Sequence, residues 1–131
     1  LLLGLSVLAG CAPFSCRPSA SAGIEAELLF GLSIAGGGTV SAAAFGRFVA
    51  DEIAPRFPAG FTVLAGEGGW RGSSEGARLV VIAAPDVAAT YDALNAVRAA
   101  YRARFRQQSV GLITVRSCAD FGPGEGPGPS G

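Results

Sequence analysis

The feature that most constrains this fold is a change of period at Pro85. Ala77 to Pro85, ARLVVIAAP, is a near-continuous apolar run. That pattern suits a strand buried at the centre of a sheet. Beyond Pro85 the apolar residues recur every three or four positions, at Val87, Tyr91, Leu94, Val97, Tyr101 and Phe105. This is one stripe of a long helix, with Asp86 placed to cap it. A strand that needs cover, followed by a helix with a single apolar face, points to helices layered on a sheet.

The remaining elements fit the same plan. Ala26 to Ser33, AELLFGLS, alternates Leu28, Phe30 and Leu32 on one face of a strand. A glycine-rich loop follows, and Ser41 is placed to cap a helix whose stripe is Phe45, Phe48, Val49 and Ile53. Pro55 disfavours helical geometry at Ala54 and ends it. Phe61 to Leu64 reads as a strand. The glycines after it predict a bulged, bending continuation to Arg71 and a turn near Gly72 to Ser74. Ser109 to Cys118 is the last strand.

The order is β-α-β-β-α-β, a ferredoxin-like α+β plan. It predicts a four-stranded antiparallel sheet in spatial order 4-1-3-2, with two helices on one face. The other face then carries Leu29, Val80 or Val81, and Ile113 or Val115. A bare apolar sheet face marks an interface or a pocket, so a homodimer through that face is the expected partnership.

The ends read differently. Residues 1–9, LLLGLSVLA, are an uncharged apolar run too short to span a bilayer as a helix. They lead into Leu8-Ala9-Gly10-Cys11, which resembles the lipobox of bacterial lipoproteins. The resemblance implies cleavage before Cys11, a lipid on its sulfur, and a membrane partner. The expected location is the bacterial cell envelope, with outer-membrane sorting favoured by Ala12. The run starts without Met or a basic segment, so a signal peptide truncated at its N-terminus is expected at 1–10. A Pro-, Ser- and Ala-rich flexible tether is expected at 11–23. The ferredoxin-like domain follows at 24–121, and a disordered Gly/Pro tail at 122–131.

Composition removes whole classes of chemistry. Ten basic residues, all Arg, balance ten acidic ones, which argues against nucleic-acid binding through bulk positive charge. The sequence contains no His and no Lys. A His general base, a Ser-His-Asp triad, a Schiff-base lysine and a Walker lysine are therefore excluded. With Cys11 lipidated, Cys16 and Cys118 are left, and from sequence a disulfide and two free thiols are equally open. Cys11 and Cys16 lack further ligands for zinc. No cofactor or metal is expected.

Gly66-Glu67-Gly68-Gly69-Trp70-Arg71-Gly72 invites a phosphate-loop reading. The dinucleotide fingerprint fails, because its sixth position is Arg71 and a strand follows instead of a helix. The side chains offered there still form a candidate ligand set. Trp70 supplies a stacking plane, Arg56 and Arg71 supply guanidinium forks, and Glu67 supplies a carboxylate. The expected activity is binding or assembly, not catalysis. The alternative is a cofactor-free envelope enzyme with a pocket on the open sheet face and Glu and Arg as working groups. Arg98, Arg102, Arg104 and Arg106 on the second helix read as a solvated face complementing the helix C-terminus, with lipid headgroups as the competing use.

FGLS, FVADEIAPRFPAGFTVLAGEGGWRG and YRARFRQQSV together resemble the bacterial exported and lipoprotein family known only as domain of unknown function 3574. The resemblance runs from about Leu28 to Phe121. Phe45 stands where the family pattern has Trp, Gly69 where it has Gln, and Arg78 where Lys is common. The family implies this fold and export, and it implies no reaction.

Overall fold

A computed structural model describes residues 10–122. Four strands and two helices follow in the expected order: β1 (Ser21–Gly31), α1 (Ala42–Phe48), β2 (Thr62–Trp70), β3 (Ser73–Ala84), α2 (Ala88–Phe105) and β4 (Gly111–Ala119). The sheet is antiparallel in the order β2-β3-β1-β4. β3 and β1 are central, as their apolar character requires. This is the ferredoxin-like α+β fold, with both helices on one face of the sheet.

The core lies between that face and the helices. Ile24, Ala26, Leu28 and Phe30 alternate inward from β1, and Val80 and Ile82 from β3. They meet Phe45, Phe48 and Ile53 from the first helical segment and Leu94, Val97 and Tyr101 from α2. Phe30, Phe45, Phe48, Tyr101 and Phe105 form an aromatic cluster with centroids 4.7 to 6.0 Å apart, mostly edge-on. Edge-to-face contact adds about 0.5–1.5 kcal/mol per pair beyond area burial.

Several local expectations need correction. Ser41 does cap α1, accepting from the Ala44 N–H at 3.1 Å, but the helix continues as a π turn at Val49–Ile53. Ala54 N–H bonds the Val49 carbonyl five residues back. Asp86 does not cap α2. The helix begins one residue later, with Val87 extended and exposed at the cap position. Asp86 instead accepts the Tyr91 hydroxyl at 3.0 Å, which holds that phenolic proton and raises the Tyr91 pKa. The inner stripe starts at Thr90, whose hydroxyl donates to the Pro85 carbonyl at 2.8 Å.

The glycine-rich strand contains no bulge. β2 and β3 pair without a break from Thr62↔Val81 to Trp70↔Ser73. The turn is the two-residue loop Arg71-Gly72, both with positive φ (48° and 82°). Positive φ at both loop residues matches the right-handed twist of a tight hairpin.

β1 starts at Ser21, three residues before the expected boundary of the domain. Cys16 and Cys118 are joined by a disulfide, with Cα atoms 5.6 Å apart. Ser19 Oγ donates to Asp120 at 2.8 Å. The Gly122 N–H and Ser19 together hold the Asp120 carboxyl below its usual pKa. The segment before β1 is therefore clipped to the end of β4. No helix among the described residues is long and apolar enough to cross a membrane. Residues 1–9 and 123–131, which carry most of the expected signal peptide and tail, lie outside the described residues.

Candidate functional site

The four residues singled out from the sequence do not converge. Arg56 Nη1 pairs with Glu52 Oε2 at 2.7 Å and donates to the Glu52 carbonyl at 2.9 Å. It lines a shallow hollow of about 230 Å³ beside Ala84 and Pro85. Trp70 lies at the other end of β3, paired with Ser73. The intervening length of strand is about 35 Å at 3.4 Å per residue. Glu67 is exposed on the β2 edge, opposite Gly76. Trp70 and Arg71 do meet, with the guanidinium carbon 5.5 Å from the ring centroid.

A larger cleft of about 550 Å³ opens at the Trp70 end of the sheet. Its walls come from three places: the loop after β1, the β2–β3 hairpin, and the turn between α2 and β4. Gly36, Gly37 and Gly38 all have positive φ, and they let the first loop fold back so that Ile34 N–H bonds the Gly38 carbonyl. Arg106 ends α2 in the left-handed conformation, with its N–H on the Arg102 carbonyl. Gln107 then reaches across, its Nε2 donating to the Ser33 carbonyl at 2.7 Å. This bond ties the first loop to the third wall.

The floor is Gly31. Tyr101 Oη, buried in the core, donates to the Gly31 carbonyl at 2.7 Å. Glu75 lies against the Gly31 Cα, where an added Cβ would fall 2.7 Å from Oε1. Only glycine leaves room for that carboxylate. Glu75 Oε2 accepts from the Ser33 N–H at 2.8 Å. Burial, reinforced by the negative charge of Glu75 and opposed by Arg78, pushes the Tyr101 hydroxyl up to about 12. Tyr101 is thus a fixed hydrogen-bond donor at neutral pH.

Two charged groups in the cleft keep unpaired atoms among the described residues. Glu75 Oε1 receives no protein hydrogen bond, and the Arg106 guanidinium makes neither hydrogen bond nor ion pair. Among the described residues exposed Arg102 is likewise unpaired, but it does not line the cleft; the other two α2 arginines differ. Arg98 bonds the Val110 carbonyl and Asn95, while Arg104 pairs with Asp51 and Glu52. Sequence reasoning placed Arg106 on a solvated helix face and did not join it to Glu75, because the start of β3 and the end of α2 are far apart in the chain. Gly66, Gly68 and Gly69 have no close packing neighbour that would exclude a side chain. Gly68 and Gly69 line the cleft, so their bareness keeps it open.

The cleft runs into the outer face of the sheet. Leu29 (43 % exposed), Leu64 (47 %), Ile113 (49 %) and Val115 (52 %) share that face with half-buried Leu79 and Val81. The register places Val81 in the outward set and Val80 in the core.

A family model described as protein of unknown function (DUF3574) matches residues 25–121. The chain belongs to that family. No curated protein sequence matches it. Among solved structures, a phage SAM lyase in its apo state is similar at a TM-score of 0.54 and 18 % identity, covering 80 % of this chain and 87 % of that one. CPII, a nitrogen regulatory PII-like protein from Thiomonas intermedia K12 bound to ADP, AMP and bicarbonate, is similar at 0.50 and 10 %, covering 79 % and 99 %. These likenesses establish the shared fold.

Proposed function

We propose that this member of the DUF3574 family is a membrane-tethered binding and assembly domain, in which two copies pack their open sheet faces together. The observation that carries this reading is the exposed apolar set Leu29, Leu64, Ile113 and Val115 on one side of the sheet. Four strands about 4.8 Å apart and about nine residues long give a face of roughly 19 by 30 Å. Two such faces in contact remove about 1,100 Å² from water, just above the size at which specific interfaces begin. A second copy supplies a surface of matching shape and polarity by symmetry.

The tether reading draws on Cys11, which is exposed and free beside the disulfide-bonded pair. Lipidation there places the protein on a membrane of the cell envelope. A Cys11→Ala chain is then expected to lose incorporation of a labelled lipid precursor, and retained label contradicts the anchor. For assembly, size exclusion with light scattering on a Cys11→Ser chain is expected to give a dimer mass. Val115→Asp on that chain is expected to give a monomer. A monomer mass for the parent across the accessible concentrations overturns the assembly reading.

A further inference from the structure

We propose that the 550 Å³ cleft is a binding site for a small zwitterion of amino-acid type, with Glu75 receiving its ammonium group and Arg106 its carboxylate. This goes beyond the assembly reading and does not depend on it.

The cleft holds two opposite charges that the described protein groups leave unpaired. Glu75 is half-buried, and its carboxylate is held by the Ser33 N–H and lies beside the bare Cα of Gly31. Its Oε1 still has no protein donor. Arg106 lines the same cleft and has no protein acceptor. The two charges lie in one cavity, yet no ion pair joins them. Opposite charges that line one cavity without pairing are matched by a ligand carrying both signs, not by one carrying a single sign. A phosphate or dicarboxylate would satisfy Arg106 and be repelled by Glu75; a simple amine would meet the reverse. Forked hydrogen bonds suit a guanidinium to a carboxylate.

The rest of the lining supplies what the body of such a ligand needs. Trp70, the only tryptophan, is 71 % exposed and walls the cleft as a flat apolar surface. Leu29, Ile34 and Ala77 add aliphatic surface. The volume lies within the range of small-molecule pockets. Pre-organisation is present on the acidic side, where Glu75 is braced, and on the basic side, where the Gln107–Ser33 bond holds the turn that carries Arg106.

Trp70 also provides the readout. The Cys11→Ser chain is titrated with each of the twenty standard L-amino acids while Trp70 emission is followed. The proposal expects a saturable change with at least one of them. For that probe, its N-acetyl form and its methyl ester should each bind about ten- to hundredfold more weakly, the usual weight of a charge-assisted hydrogen bond. Glu75→Gln, which keeps the acceptor for Ser33, should weaken the free probe by a similar factor and leave the N-acetyl form unaffected. Arg106→Asn, which suits the left-handed backbone, should do the same with respect to the ester. No emission change across the set, indifference to both blocking groups, or parent-like binding by either variant overturns the proposal. The blocked probes need no variant, so a misfolded variant does not obscure the result. Masses measured on the same samples report association separately.

Discussion

Gly31 is the residue on which the candidate site turns. It is held from the core side by the Tyr101 hydroxyl and covered on the outer side by the Glu75 carboxylate. Gly31→Ala is expected to displace Glu75 from the Ser33 N–H with little loss of stability, because the atom in the way is the end of a flexible side chain. Urea denaturation should therefore change by less than about 1 kcal/mol, within the range of peripheral substitutions, while ligand affinity at the cleft falls. Tyr101 gives a pH signature. Its folded pKa of about 12 exceeds the reference 10.0, so the unfolded chain loses this proton first as pH rises. The contribution is complete below pH 10 and is lost between about pH 10 and 12, amounting to roughly 2–3 kcal/mol at 1.36 kcal/mol per unit. Tyr101→Phe should flatten that part of the stability profile. It should also cost about 1–3 kcal/mol at neutral pH by leaving the Gly31 carbonyl unpaired.

Among the elements, the strands and helices were legible because their periods are strong. Phe45, Phe48, Leu94, Val97 and Tyr101 all fall on the buried stripes expected of them. What the sequence hid was conformation set by tertiary contact. The glycines of β2 suggested a bulge, but cross-strand pairing with β3 keeps that strand in register from end to end. Asp86 suggested a cap, but the Tyr91 hydroxyl claims its carboxylate. The cleft was the least legible feature, since Ser33, Glu75 and Arg106 lie on three separate segments: the loop after β1, the start of β3 and the end of α2. On the open face, Glu27 is half-buried between Val81 and Ile113 with no ion-pair partner among the described residues. Burying two such carboxylates in a dimer opposes association. Glu27→Gln is expected to tighten the dimer about tenfold, a change of about 1.4 kcal/mol, as measured by dilution. No change would place Glu27 outside the interface.

At the scale of the whole molecule, the two ends of the sheet have different roles. Cys16 and Cys118 close a loop over a sequence separation of 102, at the end where β1 begins and β4 finishes. The disulfide shortens the tether to the five residue steps from Cys11 to Cys16, a reach of about 17 Å at most. With a lipid on Cys11, the domain would stand close to the membrane with the cleft at its far end, about 35 Å away along β1. Loop-closure entropy assigns the disulfide about 4–5 kcal/mol. A Cys16→Ser, Cys118→Ser chain should therefore show a large drop in denaturation midpoint, whereas a shift below 1 kcal/mol would mean that the clip adds little to the fold. The assembly claim is tested most directly by hydroxyl-radical footprinting of the Cys11→Ser chain over a concentration series. The account predicts that Leu29, Leu64, Ile113 and Val115 become protected as concentration rises, while Val87 and Phe121, exposed elsewhere, label equally throughout. Unchanged labelling of those four face residues at every concentration would contradict it.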